Sequence, residues 1–356
     1  MNKRSISVSS LFVILLLTGG CDSGTQSTQV QDNVEIKWQS DGSSIFGFLR
    51  SYTVTSTSAV PFTGYSIVRC NNDGSVAETY KTDPKSRPID PATGNIDSYS
   101  SSLYVSPDGN TVVTQLEGDL YRYHPHTGVL EKLVTQLHLI VSSPDLHYAV
   151  GTPSPDVQPI KTINVYDLSS APIRLVTHFD VNRISASSGI WFNNGTFGVN
   201  CTDTLGAHIS IFDTTSTGTP PPLNVIGSAE AVFHNFFFNS QTNDLFFRNR
   251  NSRKDGASFD GTVDRINLTS MVRANVLNLK VENFDVTKDE STIVYSAYDS
   301  AITIHMRSRN LQSSKELQIA DDIKLIIALS PTDDKLAYIR GSLDHNEIHV
   351  IPFIKP

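Results

Sequence analysis

Cysteine, methionine and tryptophan are scarce, with three, three and two copies in 356 residues. So few cysteines exclude a small domain held together by a framework of disulfides. Cationic excess is missing too: 28 Lys and Arg stand against 36 Asp and Glu, a net charge of −8. Nucleic acid is therefore not an expected partner, because its affinity rests on a clustered basic surface. After residue 20 no apolar run approaches the roughly twenty residues that a spanning helix needs. Helical periodicity is almost absent, which argues against a bundle. No Gly-x-Ser-x-Gly elbow and no His-Glu-x-x-His helix occurs, and the ten histidines show no metal-ligand spacing. Neither catalytic residues nor a metal or other cofactor are expected.

What is present begins with an address. Lys3 and Arg4 precede an apolar run from Leu11 to Leu17, followed by Thr18-Gly19-Gly20-Cys21. That run suits the h-region of a secretory signal. Small residues directly before a cysteine resemble the lipobox of bacterial lipoproteins, although Thr18 stands where that family usually has Leu. The resemblance implies removal of residues 1–20, acylation of Cys21 and a bacterial cell-envelope location, on the periplasmic side or the cell surface. Processing would remove Lys3 and Arg4 and no acidic residue, leaving 26 cations against 36 anions. Residues 21–32 then form a polar tether and possible closing strand, and 33–356 the folded domain.

Beyond the tether, short runs rich in Val, Ile, Phe, Tyr and Thr alternate with Gly, Pro, Asn, Asp and Ser clusters, the pattern of an all-β fold. A turn of the form Ser-(Pro)-Asp-Gly, or a degraded version, recurs seven times: around Asp41, Asp108, Asp145, Asn194, Asn243, Asp289 and Asp333. Successive spacings are 67, 37, 49, 49, 46 and 44 residues. A period near 45 with four strands, A to D, is the size of a propeller blade. The second unit reads as Ser102 to Val105, Thr111 to Leu116, Asp119 to His124 and Glu131 to Leu137. The fold class expected is a seven-bladed β-propeller of four-stranded antiparallel blades.

Trp38-x-Ser40-Asp41-Gly42, followed by Ser66-Ile67-Val68-x-x-Asn71-Asn72-Asp73-Gly74-Ser75, resembles the repeat of TolB-like propellers, including that of dipeptidyl peptidase IV. The likeness spans nearly the whole mature chain as a pattern and specifies fold better than function. There is no room for the α/β domain that precedes the propeller in TolB, so TolB's partners do not carry over. Unit seven ends without a D strand, and the segment around Gln26 to Gln31 is expected to close the ring as its outer strand. Cys70 and Cys201 fall in distant blades at opposite strand ends, beyond the roughly 7 Å reach of a disulfide.

In an up-and-down blade the D to A and B to C connections share one face. The long insertions 51–64, 82–99, 153–161, 251–261 and 341–346 fall there, and only Thr214 to Pro222 lengthens the opposite face, which makes the loop-rich face the expected binding surface. Arg248, Arg250, Arg253 and Lys254 form a dense basic group on it, with Asp344 and His345 nearby. His234 sits in the innermost strand of unit five and is a candidate for the central channel, since some TolB-like propellers are pectin-fragment lyases with channel histidines. The leading functional expectation is a lipid-anchored scaffold that holds an envelope protein through the loop-rich face. The alternative is a propeller that binds or cleaves polysaccharide at the channel mouth, with a glycan as ligand.

Overall fold

The computed structural model describes residues 27–55, 62–81, 103–116, 118–153, 160–183, 185–193, 195–203, 206–214, 231–251, 260–298, 303–341 and 346–356. They form seven antiparallel sheets and no helix. Blade one comprises β1 (Ser27–Trp38), β2 (Ser44–Thr55), β3 (Phe62–Asn71) and β4 (Val76–Lys81). Blade two comprises β5 (Leu103–Val105), β6 (Val112–Leu116), β7 (Asp119–His124) and β8 (Val129–Val134). Blade three holds β9 (Leu137–Ser142), β10 (Tyr148–Pro153), β11 (Ile160–Asp167) and β12 (Arg174–Arg183). Blade four holds β13 (Ser185–Trp191), β14 (Thr196–Asp203) and β15 (Gly206–Asp213). Blade five holds β16 (Ala231–Asn239), β17 (Asp244–Asn251), β18 (Asp260–Asn267) and β19 (Arg273–Leu277). Blade six holds β20 (Val281–Val286), β21 (Thr292–Tyr298), β22 (Ile304–Asn310) and β23 (Glu316–Asp321). Blade seven holds β24 (Ile323–Leu329), β25 (Lys335–Gly341) and β26 (Asn346–Pro352). One boundary differs from the expectation: Leu137 opens the inner strand of blade three rather than ending blade two.

The core is not one cluster but seven, each between neighbouring blades. Alternation along the B strands builds it. Phe46 and Phe48 face blade two, while Ile45 faces blade seven. Phe246 faces blade six, while Leu245 and Phe247 face blade four. Side chains two apart share a sheet face, so a run of consecutive apolar residues buries both faces of a blade. Each fully buried Phe or Leu contributes about 2–3 kcal/mol. Cys70 lies in the core between blades seven and one and Cys201 in that between three and four, and no disulfide joins them.

In blades two, three and six the recurring turn connects strand A to strand B through one mechanism. In blade two, Ser106 Oγ donates to Asp108 Oδ1 at 2.6 Å and accepts from Thr111 N at 2.9 Å, while Gly109 takes φ +71°. Ser143 with Asp145, and Thr287 with Asp289, repeat the 2.6 Å bond. Leu146, Glu290 and Asp333 occupy the glycine position with φ of 57°, 53° and 57°. The hydroxyl–carboxylate pair therefore outlasts the glycine.

Ring closure departs from the expectation. Ser27 to Gln31 belong to β1 and pair with β2, from Ser27 opposite Thr55 to Gln31 opposite Ser51, and blade seven has three strands among the described residues. The segment is kept in blade one because β2 extends far enough to pair it along its whole length. The ring closes by packing instead. Ile36, Ile45 and Val68 of blade one meet Ala337 and Ile339 of blade seven. The Trp38 indole donates to Ala328 O at 3.0 Å, and Lys335 Nζ to Asn72 O at 3.1 Å. Gly74, at φ +88°, approaches the backbone of β26 so closely that a Cβ would meet Ile348 O at 3.1 Å.

Candidate functional site: the central channel

The seven innermost strands surround a channel whose cavity measures about 850 Å³. Its wall runs from Glu35, Leu103, Ser188, Asn235 and Asn283 down to the A to B turns at Ser40, Pro107, Pro144 and Asp333. The cavity thus reaches the face opposite the long connections. Innermost strands lack a backbone partner on their channel side, so side chains supply one. Glu35 Oε2 accepts from Leu103 N of blade two at 2.7 Å, and Asp285 Oδ2 from Leu329 N of blade seven at 2.9 Å. Asn235 Nδ2 donates to Glu282 O of blade six at 3.2 Å. Each is a staple between adjacent blades.

Bulges aim Glu35, Asn235 and Asn283. The pairing of the innermost strand with its neighbour shifts between Asn33 and Glu35, between His234 and Phe236, and between Val281 and Asn283. A bulge bends the strand and redirects the side chains next to it. Asn235, at φ +51°, sits within one of them.

The electrostatics follow from burial. Loss of water pushes the Glu35 carboxyl up to about 7, against the opposing pull of Lys37 and of the Leu103 N–H. Burial likewise raises Asp285 to about 6, against its hydrogen bonds from Leu329 and Val286 and the charge of Lys37, with Asp333 adding to the rise. Lys37 Nζ lies 4.0 Å from Glu35 Oε1. In blade four's part of the wall, Ser188 Oγ and Trp191 Nε1 are buried with no hydrogen-bond partner among the described residues. The channel can therefore offer protonatable carboxyls, the two ammonium groups of Lys37 and Lys288, and amides among apolar walls. It holds no described histidine or arginine in its lining.

The residues singled out from sequence are placed otherwise. Arg248 is a buried member of β17, not part of an exposed basic surface: its guanidinium donates to Glu282 O at 2.8 Å and to Glu282 Oε2 at 2.5 Å. Gly261 leaves room for it, since a Cβ there would lie 2.6 Å from Arg248 Nε. Arg250 and His234 lie in strands whose side chains at those positions are outside the described residues, with His234 opposite Arg248. Cys21, Arg253, Lys254, Asp344 and His345 lie outside the described residues altogether. Among the described residues no group of three His, Cys, Asp or Glu is arranged to hold a metal ion. Sequence reading missed Glu35, Lys37 and Asp285. The available signal was a charged residue inside a short apolar inner strand, as in Val34-Glu35-Ile36-Lys37-Trp38 and Phe284-Asp285-Val286.

No family model matches the chain, and no curated protein matches it by sequence. Solved structures do share its architecture. An oligogalacturonate lyase in complex with manganese is 12% identical with a TM-score of 0.63, over 92% of this chain and 91% of that one. An oligogalacturonate lyase from Vibrio parahaemolyticus is 10% identical with a TM-score of 0.59, over 93% and 94%. A putative TolB from Agrobacterium tumefaciens is 12% identical with a TM-score of 0.46, over 71% and 90%. At such identity the likeness to the two lyases establishes a propeller fold and carries no chemistry with it.

Proposed function

We propose that this chain is an exported, lipid-anchored binding propeller that takes a polyhydroxylated ligand of oligosaccharide size into its central channel. The observation that carries the reading is the cavity of about 850 Å³ lined by Glu35, Lys37, Asn283 and Asp285 among Tyr104, Phe236 and Phe284. Pockets of roughly 300–1,000 Å³ with a few convergent polar groups on apolar and aromatic walls are the usual form of a small-ligand site. Carboxyls that titrate near neutrality serve as donor or acceptor, which suits hydroxyl groups in either orientation. Binding rather than catalysis is favoured, because each carboxylate already accepts a backbone N–H that fixes it in the wall.

The scaffold reading depends on the connections 56–61, 154–159, 252–259 and 342–345, which lie outside the described residues, and on a basic group that has lost Arg248 to the interior. Screening the purified chain on a glycan array, followed by calorimetry on the hits, tests the channel reading. Asn283→Trp, which fills the cavity, should weaken a hit at least tenfold. If no glycan binds, and affinity purification from the native envelope recovers a reproducible protein partner, the scaffold reading replaces this one.

A further inference from the structure

β1 is an innermost strand, so it runs from the face of the D to A connections toward the face of the A to B turns. Ser27 therefore starts at the loop-rich face. β1 and β2 remain paired from Ser27 opposite Thr55 to Trp38 opposite Ile45, and β3 joins them at Phe62 opposite Tyr52. At the described start of the inner strand of blade two, the Leu103 N–H meets Glu35. Eight residues of β1 precede that level, which at the rise of a strand is roughly 26 Å of paired backbone. Cys21 stands six residues before Ser27. Six residues reach at most about 20 Å when fully extended. Any acyl chain on Cys21 is thus bound to the end of this hairpin and to one face of the ring.

We infer that the extended β1–β2 hairpin is a stalk that stands the propeller on a lipid bilayer, with the loop-rich face toward the membrane and the A to B turns, with the cavity beside them, facing away. This rests on the acylation of Cys21 contained in the proposed function. The length and start of the strand supply the orientation, which acylation alone would leave free. The consequence is that a channel ligand arrives from the aqueous compartment and need not pass the membrane-facing rim.

The test uses the full chain expressed with its own leader and reconstituted into vesicles of phosphatidylethanolamine and phosphatidylglycerol that carry a headgroup-linked acceptor dye. A donor dye is placed by Leu279→Cys, in the exposed D to A connection between β19 and β20, or by Gln312→Cys, in the exposed turn after β22. Cys70 and Cys201 are buried and take up little dye. Energy transfer from position 279 should exceed that from position 312 at least twofold. Equal transfer, or the reverse order, overturns the orientation. The mass of the N-terminal peptide is read in the same sample: acylated Cys21 is required, and an unmodified peptide overturns both the stalk and the lipid anchor. Neither result bears on glycan binding by the channel, which the array measures separately.

Discussion

Glu35 and Asp285 sit in the channel wall with carboxyls raised to about 7 and about 6, above the ordinary carboxylate range. Between that range and those values the folded protein binds more protons than the unfolded chain, so stability falls as pH rises through them. The turn aspartates work in the opposite sense. Asp108 is held low by its bonds from Ser106 and Asn110, and Asp334 by those from Thr332 and Ser330, so their contribution is lost as pH falls through their depressed values. The melting temperature should therefore peak at about pH 4, and Glu35→Gln should remove on the order of 2 kcal/mol of the loss between pH 5 and 8. A thermal-melt series across pH checks both, and a flat profile for the parent protein would refute the wall electrostatics. Arg248→Ala leaves the Glu282 carboxylate without its buried partner, and should cost about 3 kcal/mol in urea unfolding. Melting should not respond to reductant, because Cys70 and Cys201 sit in separate cores.

At the scale of the element, the A to B turn was the most legible feature of the sequence, and the structure explains why. In its full form the pattern has a short hydroxyl side chain, a carboxylate two residues on and a left-handed residue next, and each leaves a local trace. Gly109→Ala should destabilise by about 1–2 kcal/mol, from φ +71° alone; Asp108→Ala should cost about 1 kcal/mol, from the lost bonds to Ser106 and Asn110. Both are read by thermal melts. Strand order was legible for the same reason. The aim of the channel groups was not, because a bulge is a mismatch in length between two paired strands and leaves no residue signature at Asn33 or Val281. Arg248 was misread for a related cause: Arg250 stands two residues on in the same strand, and only the fold shows that Glu282 of the next blade receives the first of them.

The whole molecule is a ring of seven interfaces, six of which join segments that follow one another along the chain. The seventh joins Ile36, Ile45 and Val68 to Ala337 and Ile339. The count of blades was legible because each carries its own turn, whereas the manner of closure depends on which strand β1 prefers, a competition that no single segment records. Gly74→Val should lower the free energy of unfolding by about 2 kcal/mol through its clash with Ile348 O, without changing the circular-dichroism spectrum of the remaining sheets. That seventh interface also has an order in time. A polypeptide synthesised from its amino end can stack six of its contacts as it emerges, yet the apolar side of its first module stays wet until the last module has been made. Chains interrupted before residue 340 would carry that sticky surface permanently, and the slowest step of assembly should be the meeting of the two ends.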